Sequence, residues 1–233
     1  DGTVMALDAD TGKTRWSYET QGPIFGSATV SEGTLYIGST DGKLYAFDAY
    51  TGKVRWTRAT ESWILGSPTT SQGVVVFGSQ DRNLYMVDAS NGTLRYIIDA
   101  GGALDNAVAL VGDVALITVR SGGVIALNYK QKDIPFQKAI WRMWYQLYIW
   151  GSAPKTPPPP GFVWGTGIRD QSFGDLAIAD GRVFVGSIGG RLYALDLQTG
   201  QLLWKVEKLG RLYSSPIVSG DTVIQVTGDG AVY

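Results

Sequence analysis

The sequence predicts an all-β fold, a β-propeller of four-stranded blades. Three observations predict it. A block of about 40 residues recurs along the chain, each copy holds four short strand-like pieces, and those pieces are separated by glycine-rich turns. The 31 glycines in 233 residues fit that many turns.

The copies run in order. Residues 1–40 open DGTVMALDADTGKTRW, residues 41–80 open DGKLYAFDAYTGKVRW, and residues 81–120 open DRNLYMVDASNGTLRY. The fourth copy, 121–188, opens SGGVIALNYKQKDIPF and departs most from the others, with an insertion expected at about 137–164. The fifth, 189–228, opens GGRLYALDLQTGQLLW, and 229–233, DGAVY, begins a sixth. About five blades are therefore expected in one propeller domain, 1–233. In the second copy the strand pieces are KLYAFDA, KVRWTR, GSPTTS and GVVVFGS, rich in β-branched and aromatic residues. Residues 1–8 and 229–233 both read as the third strand of a blade, and a closed ring of five needs one of them. The spare strand favours a natural chain that continues into a larger propeller, the alternative being a complete ring of five blades.

The repeated residues have physical tasks. Gly12, Gly52, Gly92 and Gly200 sit between two strands, where a tight turn needs positive φ. Asp8, Asp48, Asp88 and Asp196 precede those turns, and their carboxylates can accept the turn's N–H groups. Trp16, Trp56, Tyr96, Phe136 and Trp204 share one repeat position, suited to a large ring packed between neighbouring sheets. The small residues Gly26-Ser27-Ala28, Gly66-Ser67-Pro68 and Ser214-Ser215-Pro216 suit strands that crowd near a central axis. All of these are expected to build blades rather than bind anything.

Composition narrows the function. The net charge is -1 and no basic stripe is visible, which argues against a nucleic-acid partner. With no histidine and no cysteine, the chain cannot assemble a Ser-His-Asp or Cys-His site or a zinc-thiolate site. The carboxylates outside the repeat turns are Glu61, Asp105, Asp170, Asp175 and Glu207. Asp105 with Asn106, and Asp170 with Asp175, are loop residues that could face one end of a central channel. No metal site and no catalytic residue is expected. No signal peptide is visible, and no apolar run reaches the ~18 residues of a spanning helix.

The insertion is the main departure from the repeat. It opens AIWRMWYQLYIW and contains Trp141, Trp144, Tyr145, Tyr148 and Trp150, then Pro154, the run Pro157 to Pro160, and Trp164. Half of the eight tryptophans lie here. So long and apolar a connection is unlike a solvated loop. Three readings stand: a flap packed on its own propeller, a protein-docking surface, and contact with a membrane interface. The pattern leaves helix and strand equally open. If the segment docks a partner, Trp141, Trp144, Tyr145, Tyr148, Trp150 and Trp164 are the expected anchors.

The pattern A-x-D-x-x-T-G-K-x-x-W, from Ala6 to Trp16 and Ala46 to Trp56, and with Gln201 for Lys from Ala194 to Trp204, resembles the tryptophan-docking motif of the PQQ-like repeat propellers. That superfamily includes quinoprotein alcohol dehydrogenases and outer-membrane assembly lipoproteins of the BamB type. The resemblance implies a propeller working outside the cytoplasm, in the periplasm or at the cell surface, as a subunit that binds other proteins of a membrane-associated assembly. It does not by itself imply PQQ. A quinoprotein site would ask for a vicinal cysteine pair, which is absent, and a calcium cage of Glu, Asn and Asp, which cannot be assembled from the residues outside the turns. The expectation is therefore a non-catalytic scaffold without cofactor. The alternatives are part of a PQQ-dependent dehydrogenase using PQQ and calcium, and an extracytoplasmic sensor domain.

Overall fold

Four antiparallel strands form each blade, and the sheet is offset from the sequence repeat. The computed structural model describes residues 1–132, 136–155, 157–168 and 170–233, with the side chains of Gln137 and Lys138 also left aside. Parts of the expected fourth copy and its insertion therefore lie outside the described residues. The chain opens with a two-stranded sheet of β1 (Thr3–Leu7) and β2 (Thr14–Glu19). The first complete blade is β3 (Thr29–Ser31), β4 (Thr34–Gly38), β5 (Lys43–Asp48) and β6 (Val54–Ala59). The second is β7 (Thr69–Ser71), β8 (Val74–Gly78), β9 (Asn83–Asp88) and β10 (Leu94–Asp99). The third is β11 (Ala109–Val111), β12 (Val114–Val119), β13 (Gly123–Asn128) and β14 (Phe162–Gly167). The fourth is β15 (Ala177–Ala179), β16 (Arg182–Ser187), β17 (Arg191–Asp196) and β18 (Leu202–Val206). A two-stranded sheet of β19 (Ile217–Ser219) and β20 (Thr222–Ile224) follows. Among the described residues these are the strands of five blades, four complete and two halves, as the repeat predicts.

Local chemistry fixes each hairpin. Between the first and second strands lie Glu32-Gly33, Gln72-Gly73 and Asp180-Gly181, all with positive φ. Two successive residues of that kind make the tight turn whose twist matches the flanking strands. Between the third and fourth strands the aspartates act as expected. Asp48 Oδ1 accepts Thr51 N–H at 2.9 Å and Thr51 Oγ1–H at 3.0 Å, and Asp8 and Asp196 hold Thr11 and Thr199 in the same way.

The core lies in the seams between blades. The middle strands β8 and β9 read VVVFG and NLYMVD and are buried along almost their whole length, because neighbouring sheets cover both faces. Val76 and Met86 of the second blade share one cluster with Ile117 and Leu127 of the third. Near the axis a side chain at Gly26 would strike the backbone of Gly66, and one at Gly66 the backbone of Asn106. Small residues are thus required where blades converge, as the sequence suggests.

Tryptophan closes the seams. Trp16 Nε1–H donates to Ala49 O at 3.0 Å, Trp56 to Ala89 O at 3.1 Å and Trp164 to Leu197 O at 2.9 Å, each in the next blade. Their rings lie against Gly52, Gly92 and Gly200, where any Cβ would fall within 3 Å of the indole. These glycines therefore serve the turn and the seam together.

Trp164 corrects the sequence reading. It pairs with Ala126 as Trp56 pairs with Ala46, so it holds the docking position that the repeat assigns to Phe136. Trp164 is 6% exposed and belongs to the seam, not to an interaction surface. Phe136 is 83% exposed, with φ 63°, outside any sheet. The connection therefore departs from β13 and returns at β14. The insertion thus precedes the docking residue instead of following it, which is why the repeat spacing points to Phe136 in place of Trp164.

Candidate interaction surface

The insertion is tied at its base. Asn128 N–H donates to Gly161 O at 2.7 Å, closing the two ends over the third blade. Tyr96, which replaces tryptophan at its repeat position and is buried, sends its hydroxyl to Pro160 O at 2.8 Å. The docking contact of the second blade is thereby redirected to the end of the proline run. Tyr129 is fully buried and binds Ser71 Oγ and Gly112 O.

Beyond this base stands the one helix of the described residues, α1 (Gln137–Ile149). Phe136 is its N-cap and supplies no side-chain cap. Its C-terminus is well closed. Gly151, at φ 70°, donates to Tyr148 O at 3.0 Å, and Ser152 N–H donates to Leu147 O at 2.8 Å. That paired closure with a left-handed glycine is the Schellman motif. The chain then folds back, and Trp144 Nε1–H donates to Pro154 O at 3.1 Å.

The helix leaves most of its aromatic residues in solvent. Met143, Trp144, Tyr145, Tyr148, Ile149 and Trp150 are exposed, Trp150 at 71%, whereas Trp141 and Leu147 are half-covered. Among the described residues no strand packs extensively against α1. The segment is therefore an arm and not a flap laid on a sheet. Of the six expected anchors, five sit on or at the end of this arm, and Trp164 does not.

Four of the five loop carboxylates, those of Asp105, Asp170, Asp175 and Glu207, are engaged in structural bonds. Asp105 accepts Arg120 Nε–H and, at 3.1 Å, Gln80 Nε2–H. Asp175 accepts Ala107 N–H at 2.8 Å, and Asn106 is buried against Thr118, Ser172 O and Gly174 O. Glu207 faces Lys205 at 2.8 Å and Arg191 at 3.5 Å. Glu61 offers its N–H to Asp81. Among the described residues no three acidic side chains come together as a metal site.

Two devices were missed by sequence reasoning. Tyr45 and Tyr85 donate to Asp41 and Asp81 four residues earlier, at 2.5 and 2.6 Å. Burial first, and then the adjacent carboxylate, raises both phenols well above their ordinary range. The D-x-x-x-Y spacing in the second and third copies was the available signal. In the fourth complete blade Gly189 stands where Asp41 and Asp81 stand in theirs, and the Asp170 carboxylate occupies the space a side chain there would need. It pairs with Arg191.

The turn aspartates are also electrostatic anchors. Arg15 beside Asp8, with Thr11, lowers that carboxyl to about 2. Hydrogen bonds from Ser90, with Arg95, bring Asp88 to about 2. Arg55 and Thr51 hold Asp48 lower still, and Thr199 lowers Asp196.

Fold and repeat together define a β-propeller of PQQ-like blades. The family model described as outer membrane protein assembly factor BamB matches residues 1–133 and 138–233, and the chain belongs to that family. BamB of Shewanella oneidensis is 37% identical over 57 residues, which are 24% of this chain and 14% of that protein. The crystal structure of BamB from Moraxella catarrhalis superposes with a TM-score of 0.74 at 20% identity, covering 99% of this chain and 66% of that one. The computationally designed Ika8 protein gives 0.75 at 18% identity, covering all of this chain and 64% of its own. At those identities the two structures establish the propeller fold. The chain spans less than two thirds of each of these relatives.

Proposed function

We propose that the chain is a non-catalytic scaffold, a propeller subunit working outside the cytoplasm in a membrane-associated assembly of proteins. Its blades form a rigid body, and α1 is the element by which it attaches. The exposed aromatic arm carries this reading: Trp141, Trp144, Tyr145, Tyr148 and Trp150 are gathered on 14 residues held away from the sheets. Residues of this kind supply most of the energy of association surfaces. Membership of a family named for outer membrane protein assembly supports a periplasmic location and protein partners there. The test is recovery of the protein with its host's envelope complexes. The double variant W144A/W150A should lose about tenfold in recovery, while its melting temperature stays within about 2 °C of the parent, as for surface substitutions. Unchanged recovery would refute α1 as the attachment element.

A further inference from the structure

We infer that the surface α1 takes is the interface of an anionic lipid membrane, in which the helix lies flat. This rests on the reading of α1 as the attachment element and names what it attaches to.

Charge points there first. Residues 129–161 hold five basic residues, Lys130, Lys132, Lys138, Arg142 and Lys155, against one acidic residue, Asp133, a net of +4. The whole chain is -1, so the remainder carries -5. Lys130 pairs with Asp113 at 2.6 Å. Among the described residues Lys132, Arg142 and Lys155 make no ion pair. An anionic surface attracts this arm and repels the blades, which orients the molecule with α1 leading.

The apolar face has the width of an interfacial helix. At ~100° per residue, Met143, Ile140, Trp144, Tyr148, Tyr145 and Ile149 spread over roughly two thirds of the circumference, and all six are exposed; the half-covered Trp141 and Leu147 fall in the same arc, as does the position of Lys138 in the first turn. A protein groove takes a narrower stripe, read as anchors at i, i+3, i+4 and i+7. A lipid interface accepts the broad arc, and Trp and Tyr rings suit the headgroup level, where one end of the ring is apolar and the other wet. Arg142 and Gln146 lie one turn apart on the remaining side. Thirteen helical residues make a rod of about 20 Å, and no described helix is long and apolar enough to cross a bilayer. The helix therefore lies in the plane.

The test uses the whole chain with vesicles of phosphatidylcholine alone and of phosphatidylcholine with about a third phosphatidylglycerol. Sedimentation with the anionic vesicles is expected, about tenfold weaker for phosphatidylcholine alone, for R142E/K155E and for W144A/W150A. Tryptophan emission should shift to the blue and be quenched by brominated lipid. Equal binding to both vesicles would overturn the charge-based inference. If the folded chain binds neither, the inference fails, and a photo-crosslinking residue at position 145 separates the two remaining cases in native envelopes. A trapped protein would assign α1 to a protein groove and leave the attachment reading standing. No adduct would remove that reading as well.

Discussion

At Trp56 the indole N–H reaches Ala89 O in the next blade while the ring covers Gly92. W56A is expected to cost about 3–5 kcal/mol, the usual loss for a buried tryptophan, read as a lowered midpoint in urea unfolding. G92A should also destabilise, by more than about 1 kcal/mol, since φ is 71° and the new Cβ would meet the indole at 2.6 Å. The turn aspartates carry the pH dependence. Their folded pKa values are depressed, so they stabilise the fold above the ordinary carboxylate value near 4 and lose that contribution as pH falls toward 2. The melting temperature should therefore decline between about pH 4 and pH 2, with Asp8→Asn and Asp88→Asn shrinking the decline. Most single-residue roles were legible because the same residue recurs at the same place in several copies. Trp164 was not, since only pairing with Ala126 distinguishes a docking tryptophan from an arm tryptophan.

The blade is the element that the sequence describes best, because four short apolar runs bounded by glycine turns admit few other arrangements. The arm is the element it describes least. AIWRMWYQLYIW is apolar at nearly every position, and neither a period of two nor one of 3.6 stands out. The helix becomes clear only through its ends, with Gly151 in the left-handed region and the return to Pro154. G151A should fray the last turn, at about 1 kcal/mol. Amide exchange at Gly151 and Ser152 should quicken while the global melting temperature is unchanged. Replacing residues 131–159 by an Asn-Gly turn should remove the helical signal in circular dichroism and leave β11 to β14 paired. Collapse of the third blade would mean that the arm is part of its core.

Across the whole molecule, the core clusters of the described residues join each blade to its neighbours, so the propeller behaves as a stack of similar units joined by similar seams. On the proposed reading this body is a frame, and the function lies in what it displays, since fold alone does not carry function. The fold class and the family resemblance were both readable from the tryptophan pattern, and the family match over residues 1–133 and 138–233 agrees with them. The exposure of the arm was not readable, because burial depends on whether a neighbouring surface exists, which a run of aromatic residues does not reveal. The most direct measurement of the account is amide hydrogen exchange on the chain, free and attached to its host's envelope membranes. New protection confined to residues 136–155, with the sheets unchanged, is the expected result. Protection appearing along the blade loops while α1 exchanges as in the free chain would contradict it.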